Sequence, residues 1–188
     1  MKRILQTTIN RIYNCLLLKK HKVTTGKNLI INGRLGINGT GRITIGDNVI
    51  INSSLPHNPT AGGTRTYFTV HENAELIIGD NVGISNSSIT AKKSVKIGSD
   101  ALIGANCMIA DNDFHSIEYE NRMKSPDTHV GCSPVIISNG AFIGARTIVL
   151  KGVVIGEKAV LGAGSVATKP VPANQIWAGN PAKYIRDI

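Results

Sequence analysis

An aliphatic residue recurs at every sixth position over most of residues 29–172, and it often precedes a glycine. A small or β-branched side chain follows nearly every aliphatic anchor by four residues. The clearest anchors are Ile97, Ile103, Ile109, Ile137, Ile143, Val149, Ile155 and Leu161. A six-residue period fits neither an α-helix nor the longer strand spacing of a sandwich. The pattern therefore predicts a β-solenoid, in which short strands pair in parallel between stacked coils.

The first 25 residues follow a different pattern, with apolar residues at helical spacing. The apolar positions of this predicted amphipathic helix are Ile4, Leu5, Ile9, Ile12, Tyr13, Leu16 and Leu17. Asn10, Arg11 and Asn14 interrupt it, which argues against both a membrane span of about 20 apolar residues and a signal-peptide core. Two roles stay open for this helix. It packs on the domain or a partner subunit, or it docks on an anionic membrane surface through Lys19, Lys20 and Lys22.

The net charge of +9 sits at the two ends of the chain. Residues 1–27 hold seven basic residues and no acid, and the chain from Lys169 onward adds two more units of positive charge. Nucleic-acid binding would favour a basic face interleaved with aromatics, which this sequence lacks. Three cysteines without metal-ligand spacing support neither a disulfide framework nor a zinc site, so we expect a reducing cytoplasm.

Two segments interrupt the six-residue phase. The first, near residues 54–69, carries Pro56, Pro59, Gly62 and Gly63 and is typical of an external loop. The second, near residues 116–134, begins directly after His115. This histidine stands six residues after Ile109, where the next aliphatic anchor is expected. Because imidazole accepts and donates protons near neutral pH, His115 is a candidate general base.

The aliphatic-Gly-x-x-small-x repeat resembles that of the hexapeptide-repeat transferases, over roughly residues 26–188. The resemblance implies an all-β fold, a left-handed parallel β-helix with three hexapeptides to a coil. It also implies a homotrimer with active sites between subunits. We expect a short N-terminal amphipathic helix over residues 1–25, the β-helix with its excursion loops over 26–172, and a short cap that contacts CoA over 173–188.

The segment from His115-Ser116 to Glu120 and Arg122 resembles the catalytic part of the maltose, galactoside and surface-polysaccharide O-acetyltransferases. The resemblance implies direct transfer from acetyl-CoA to a saccharide hydroxyl, with His115 as the catalytic base and no covalent enzyme intermediate. A place in cell-surface polysaccharide biosynthesis follows from the same resemblance. Lys93 departs from the maltose and galactoside type, which carries an acid there, so other saccharides are favoured as acceptors.

Four acids are candidates to orient the imidazole: Asp111, Asp113, Glu118 and Glu120. Asp111 and Asp113 are also candidates to bind the acceptor, together with Ser85 and Asn86 in the preceding coils. The sequence does not choose among the four acids. A D-x-D pair in a turn is a weak metal signal without further ligand spacing, so no metal is expected.

The donor site is expected in the coils that follow the second loop. The family's small-residue patterns match at Gly144-Ala145 and at Ala163, where a pantetheine arm would lie against the backbone, and the Ala145 amide would face the thioester. Basic residues near the C-terminus suit the phosphates of CoA. The implied donor-binding residues are Gly144, Ala145, Ala163, Thr168, Lys169, Lys183 and Arg186.

Other functions are known for this type of repeat. An N-acetyltransferase acting on an amino-sugar nucleotide is the close alternative. A γ-class carbonic anhydrase on the same fold would need three zinc-binding histidines, two of them five residues apart, and the five histidines of this chain include no such pair. A purely structural β-solenoid would not need His115, the interrupting loop or the basic C-terminus. We therefore expect an acetyl-CoA-dependent enzyme of the cytoplasm, at most peripheral at the inner face of the membrane.

Overall fold

Three parallel sheets form the walls of the molecule, because each six-residue segment supplies one short strand and one corner. The computed structural model describes residues 2–59 and 64–188, with side chains from residue 5 onward. Sheet A consists of β1 (Thr24–Thr25), β4 (Arg42–Ile45), β7 (Glu75–Ile78), β10 (Ser94–Ile97), β13 (Val135–Ile137) and β16 (Val154–Ile155). Sheet B consists of β2 (Ile30–Gly33), β5 (Ile50–Ser53), β8 (Gly83–Ser85), β11 (Leu102–Ile103), β14 (Phe142–Ile143), β17 (Val160–Leu161), β19 (Gln175–Ala178) and β20 (Lys183–Asp187). Sheet C consists of β3 (Gly36–Asn38), β6 (Tyr67–Val70), β9 (Ser88–Ala91), β12 (Met108–Ala110), β15 (Ile148–Val149) and β18 (Val166–Ala167).

The chain passes through sheets A, B and C in turn and then begins the next coil. Each strand pairs in parallel with its equivalent one coil away, so that Ile97 lies opposite Ile78 on one side and Ile137 on the other. All three side chains point inward and are fully buried. The aliphatic anchors therefore form a continuous apolar column. The fold class predicted from the six-residue repeat, a parallel β-helix with an N-terminal helix, is confirmed.

Asparagines turn the corner between sheets A and B. Asn28, Asn48 and Asn81 have φ values of 57°, 56° and 57°, in the left-handed region that Asn tolerates better than most residues. Their side chains also hydrogen-bond from one coil to the next: Nδ2 of Asn28 donates to Asn48 (2.9 Å), and Nδ2 of Asn48 donates to Asn81 (3.1 Å). The same residue type thus makes the turn and holds adjacent coils in register.

The small residues of the repeat lie inside the corner between sheets B and C. Cys107, Thr147 and Ser165 are buried there, and each donates to a backbone carbonyl of the coil wall. Sγ of Cys107, for example, lies 3.1 Å from the carbonyl oxygen of Gly144. A larger side chain would not fit in this corner, and a purely apolar one would leave the carbonyls without these donors.

The N-terminal helix, α1 (Lys2–Lys20), packs on the first coil. Asn14 is buried, donating from Nδ2 to the carbonyl of Gly33 (2.8 Å) and accepting from the amide of Leu35 (3.1 Å). Leu17 and Leu18 pack against the apolar column. The helix therefore covers the open end of the solenoid. β1 begins at Thr24, two residues before the expected start of the β-helix at residue 26. Among the described residues, no helix is long and apolar enough to cross a membrane.

The other end of the solenoid is closed by β19 and β20. β19 pairs in parallel with β17, which makes it part of sheet B, and β20 returns antiparallel to β19. Trp177 lies opposite Leu161 and packs on the apolar column. The segment from residue 173, expected to form a short cap, thus extends sheet B by one parallel strand and ends in an antiparallel hairpin.

Both excursions are present, with slightly different limits. The first runs from residue 54 to residue 66, between β5 and β6. Gly62 and Gly63, which the sequence assigned to this loop, lie outside the described residues. The second runs from residue 111 to residue 134, between β12 and β13, and contains the short helix α2 (Tyr119–Arg122).

Candidate active site

His115 lies outside the apolar column, on the second excursion. Ile137 occupies the anchor position that follows Ile109, since it pairs with Ile97 of the preceding coil and is buried. The side chain of His115 is 73% exposed. The six-residue period predicts an aliphatic anchor at the position of His115. In the structure, the whole second excursion is inserted before the next anchor, and His115 is exposed to solvent on this loop.

Asp127 holds the imidazole of His115. Nδ1 of His115 lies 3.1 Å from Oδ2 of Asp127, and the same carboxylate oxygen accepts from the backbone amide of Ser116 at 3.0 Å. The Asp127 side chain is only 17% exposed. Because a carboxylate only accepts, Nδ1 carries the hydrogen in this pair and Nε2 has a lone pair for an incoming proton.

None of the four acids considered from the sequence orients His115, so that expectation is wrong. Asp111 is completely buried, and its carboxylate accepts from the backbone amides of residues 92, 93 and 94, each at 2.7 Å. Asp113 forms an ion pair with Lys151 at 2.7 Å. Glu118 accepts from Asn121, and Glu120 is exposed at the start of α2. Asp127 was missed because it lies 12 residues from His115, with no periodic relation to it.

Local hydrogen bonds fix the backbone on both sides of His115. Phe114, half exposed, has φ of 62°, an unusual conformation for an aromatic residue, and its amide donates to Oδ1 of Asn112 at 2.9 Å. On the other side, Nη1 of Arg122 donates to the carbonyls of Ser116 (2.8 Å) and Ile117 (3.0 Å). These contacts hold the imidazole on a constrained segment.

Ser85 and Asn86 lie at the corner between sheets B and C, away from the His115 loop. Oγ of Ser85 accepts from Asn52 at 3.1 Å. Asn86 is 1% exposed, and its Nδ2 donates to the carbonyl of Thr64 at the end of the first excursion. Asn86 borders a cleft of about 650 Å³ that is lined by Thr64, Arg65, Tyr67, Asn86, Ser88, Asn106, Cys107 and Met108.

Three buried side-chain oxygens lack a hydrogen-bond partner within residues 2–59 and 64–188. They are Oδ1 of Asn86, Oδ2 of Asp113 and Oδ1 of Asp127. Buried polar atoms are almost always paired in proteins, so each of these needs an explanation. Asn86 and Asp113 are candidate acceptor-binding residues, and Asp127 is the residue that contacts the imidazole of His115.

Gly144, Ala145 and Ala163 lie at the same corner as Asn86, in later coils. The amide of Gly164 donates to the carbonyl of Ala145 at 2.8 Å, which joins these coils. A Cβ atom on Gly144 would come within 2.5 Å of the amide nitrogen of Ala163, so coil packing alone already requires this glycine. Ala163 is exposed. Gly144 is buried and Ala145 is half-buried, so solvent reaches this corner mainly at Ala163.

Thr168 and Lys169 follow β18 and lie exposed at the corner between sheets C and A, the corner from which the His115 loop departs. Lys183 and Arg186 lie on β20, where both are exposed. The expected donor residues are therefore distributed over two corners and the terminal hairpin of one chain.

Sheet C separates the two corners. Asn106 lies at the same corner as Asn86. Asp111 lies at the base of the second excursion, the loop that carries His115. The two residues flank β12 and are five positions apart in the chain. At about 3.3 Å per residue this separation is about 16 Å. Within one chain, His115 therefore lies at the carboxyl ends of the sheet C strands. The corner that contains Gly144, Ala145 and Ala163 lies at their amino ends.

The thiols near these residues are poorly suited to act as nucleophiles. Burial raises the pKa of the Cys107 thiol. Burial, followed by the negative charge of Asp111, raises the pKa of the Cys132 thiol. Since the thiolate is the reactive form, a raised pKa leaves less of it at either cysteine near neutral pH. Among the described residues, no three His, Cys, Asp or Glu side chains are grouped to hold a metal ion.

Residues 94–110 and 134–169 match the family model described as the hexapeptide repeat of succinyl-transferase. Two curated relatives from Escherichia coli are a putative lipopolysaccharide biosynthesis O-acetyl transferase, WbbJ, and galactoside O-acetyltransferase. The first is 33% identical over 117 residues, which cover 59% of this chain and 60% of WbbJ. The second is 33% identical over 123 residues, which cover 65% of this chain and 58% of the relative. The chain thus spans about three fifths of the length of these relatives.

Solved structures show the same fold. AntD, an N-acyltransferase from Bacillus cereus in complex with dTDP and 3-hydroxybutyryl-CoA, gives a TM-score of 0.72 at 23% identity, over 93% of this chain and 88% of AntD. A hexapeptide-repeat acetyltransferase from Vibrio cholerae, in complex with acetyl coenzyme A, gives a TM-score of 0.56 at 21% identity, over 92% of this chain and 75% of that one. The resemblance expected from the sequence is confirmed: the chain carries the hexapeptide repeat and has the β-helix fold of the hexapeptide-repeat acetyltransferases.

Proposed function

We propose that the protein is an acetyl-CoA-dependent O-acetyltransferase that acts on a saccharide hydroxyl in cell-surface polysaccharide biosynthesis. The observation that carries this proposal is the His115–Asp127 pair, which presents an exposed imidazole on a constrained loop of the β-helix. The two curated relatives described above are named as O-acetyltransferases, one of them for lipopolysaccharide biosynthesis. We place the protein in the cytoplasm, with peripheral contact at the inner face of the membrane.

His115 would act as the general base in a direct transfer. Nε2 takes the proton of the acceptor hydroxyl while the hydroxyl oxygen bonds to the acetyl carbonyl carbon. The carbon–sulfur bond then breaks, and the CoA sulfur leaves with the proton that His115 returns. Asp127 keeps the hydrogen on Nδ1 and stabilises the imidazolium that forms between the two proton transfers. No cysteine takes part, which agrees with the raised thiol pKa values of Cys107 and Cys132.

The acetyl donor would bind along the corner that contains Gly144, Ala145 and Ala163. The Ala145 amide is the candidate donor to the oxygen of the thioester carbonyl as negative charge develops on it. Thr168, Lys169, Lys183 and Arg186 are exposed and supply three positive charges for the phosphates of CoA.

The acceptor would be held by Asn86 and Asp113, whose unpartnered buried oxygens can accept hydrogen bonds from sugar hydroxyls. Ser85 adds a hydroxyl at the Asn86 corner. Asp111 stays among the acceptor residues expected from the resemblance, but its carboxylate is fully buried and already accepts three backbone amides. Its contribution to the acceptor site would therefore be indirect, through the shape of the loop.

A homotrimer would bring the two separated corners together. His115 and the small-residue corner lie at opposite edges of sheet C in one chain, about 16 Å apart by strand length. In a ring of three chains, each chain contacts both of the others. The corner that carries His115 can therefore face one neighbour, and the corner that carries Ala145 and Ala163 can face the other. The active site would then combine His115 of one chain with Ala145 and Ala163 of the next.

Subunit complementation tests this arrangement. His115→Ala removes the base, and Ala163→Trp fills the exposed donor corner without entering the core. Each variant alone should be inactive, whereas random co-assembly should restore about one quarter of wild-type activity, because each mixed trimer contains one intact site of three. Co-expression of two differently tagged His115→Ala chains is the matched control. Failure of complementation, with mixed oligomers shown to form, would place the complete site within one chain.

The acceptor class is tested by release of free CoA thiol from acetyl-CoA. Saccharides, polysaccharide fragments and amino-sugar nucleotides are compared at equal concentration. Faster thiol release with neutral sugar hydroxyls supports the O-acetyltransferase. Transfer confined to amino-sugar nucleotides would favour the N-acetyltransferase instead, the reaction class of AntD.

A further inference from the structure

Helix α1 presents an unpartnered apolar stripe to solvent. Its residues are Leu5, Ile9, Ile12 and Leu16, which follow one another by four, three and four positions and therefore share one helix face. Their exposures are 63%, 40%, 57% and 63%. Four large aliphatic side chains exposed in one line form a continuous apolar surface, which indicates a binding partner. We call these four residues the outer stripe.

The opposite face of α1 fixes the direction of the outer stripe. Asn14, Leu17 and Leu18 face the first coil, as described above. Nε of Arg34 also donates to Oδ1 of Asn10 at 3.0 Å, and its guanidinium lies 5.1 Å from the centre of the Tyr13 ring. The helix cannot rotate to bury the outer stripe without breaking these contacts, so the stripe faces away from the end of the solenoid.

The charge around the outer stripe points to an anionic partner. No acidic residue precedes Asp47 in the chain. Lys19 and Lys20 are exposed and follow Leu16 by three and four residues, which places both beside the end of the stripe. Lys22 is exposed directly after the helix. Two copies of α1 packed through their stripes would bring like charges together without an acid to pair with them.

We propose that the outer stripe docks on the surface of an anionic lipid bilayer. Leu5, Ile9, Ile12 and Leu16 enter the boundary between headgroups and acyl chains, and the helix lies in the plane of the surface. Lys19, Lys20 and Lys22 contact anionic headgroups. This inference deepens the localisation within the proposed function. It is tested by vesicle binding, which does not depend on acetyl transfer. A failure of membrane docking would therefore not contradict the proposed acetyltransferase activity, and the reverse also holds.

Vesicle flotation of the full-length protein is the first test. The wild type should float with phosphatidylcholine vesicles that contain about 30% phosphatidylglycerol, and binding to pure phosphatidylcholine should be at least about tenfold weaker. Raising the salt concentration should weaken binding, since lysine–headgroup attraction is screened. Absence of binding to the anionic vesicles at low salt overturns the proposal.

Variants separate the stripe from other apolar surfaces. Ile12→Gln with Leu16→Gln should lower the affinity for anionic vesicles by about tenfold or more, because two buried aliphatic side chains are lost. Lys19→Gln with Lys20→Gln should have a comparable effect and reduce the salt dependence. The matched control is Ile185→Gln with Ile188→Gln, which removes two exposed isoleucines at the opposite end of the solenoid. Equal binding of the stripe variant and the control contradicts the proposal.

Two further measurements separate a loss of vesicle binding from unfolding of the variant and from self-association of the chain. Should Ile12→Gln with Leu16→Gln unfold the protein, Leu5→Gln with Ile9→Gln changes the other half of the stripe and is measured in its place. The molar mass by light scattering reports whether the stripe instead contacts another copy of the chain. An unchanged mass together with lost vesicle binding supports the membrane surface, and a changed mass assigns the stripe to a subunit contact and overturns the proposal.

Discussion

Nδ1 of His115 lies 3.1 Å from Oδ2 of Asp127, which is 12 residues further along the same loop. This pair assigns different roles to the two ring nitrogens. Nδ1 is held by the carboxylate, and Nε2 is left for proton transfer.

Replacement of His115 by Ala should lower kcat by about 10² to 10⁴, the usual contribution of a general base. The side chain is exposed, so the free energy of unfolding should stay within about 0.5 kcal/mol of the wild type. Steady-state acetyl transfer and denaturant unfolding measure the two effects. Near-normal turnover would reject His115 as the base.

Replacement of Asp127 by Asn should lower kcat by about 10- to 100-fold, less than the loss of the base itself. The amide can turn a donor toward Nδ1 and so favour the wrong tautomer of the ring. The Michaelis constant for acetyl-CoA should not change, and the pH profile of kcat should shift. The control is Glu120→Gln, which removes an exposed acid of the same loop. Wild-type kcat in Asp127→Asn would show that the contact has no role in positioning the base.

Changing Lys183 and Arg186 to Ala should raise the Michaelis constant for acetyl-CoA by about tenfold, because charge-assisted contacts to phosphate are lost. The Michaelis constant for the acceptor should change less. Lys27→Ala with Lys158→Ala removes the same charge from exposed positions elsewhere on the solenoid and is the control. An effect of equal size in both double variants would indicate nonspecific attraction rather than a donor site.

Replacement of Asp111 by Ala should lower the free energy of unfolding by about 3 kcal/mol or more, since three backbone amides at the base of the loop lose a charged acceptor. Glu157→Ala is the control: Glu157 is exposed and meets Lys158 at 3.6 Å, and loss of such a surface pair costs less than about 1 kcal/mol. Urea unfolding at one protein concentration compares the two. Equal effects would show that Asp111 does not support the loop.

The rates at which the three cysteines react with a thiol reagent test whether any of them could act as a nucleophile in acetyl transfer. Cys15 is exposed and should react first with Ellman's reagent. Cys107 and Cys132 have raised thiol pKa values, so less thiolate is present near pH 7 and their labelling rates should rise as the pH increases. Cys132→Ser should retain wild-type turnover. A large loss of turnover in Cys132→Ser would require a different mechanism.

The sequence predicts the β-helix well because each coil repeats the same local solution. Ile97 and Ile137 are buried anchors one coil apart, and both belong to the six-residue phase. Asp127 could not be found in this way. It reaches His115 only through the fold of a 24-residue excursion, from residue 111 to residue 134, and no periodicity constrains that path.

The N-terminal helix shows a second limit of pattern analysis. Apolar residues occupy two of its faces, one with Leu17 and Leu18 and the other with Ile12 and Leu16. Periodicity identifies an amphipathic helix but does not say which apolar face packs on the solenoid. The buried Asn14, with hydrogen bonds to both Gly33 and Leu35, decides it, since a polar side chain is stable inside only where the fold supplies partners.

The parallel pairing of successive coils fixes a distance as well as a core. β12 is the fourth strand of sheet C, three coil spacings from β3 in the first coil, and each spacing is about 4.8 Å. The base of the His115 loop therefore stands about 14 Å above the coil that α1 covers. Adding or deleting one complete coil between them would move the His115 loop by one strand spacing, away from or toward α1, while leaving the contacts of the loop itself unchanged. If α1 docks on a lipid surface as proposed, the number of repeats sets the height above that surface at which His115 would meet its acceptor.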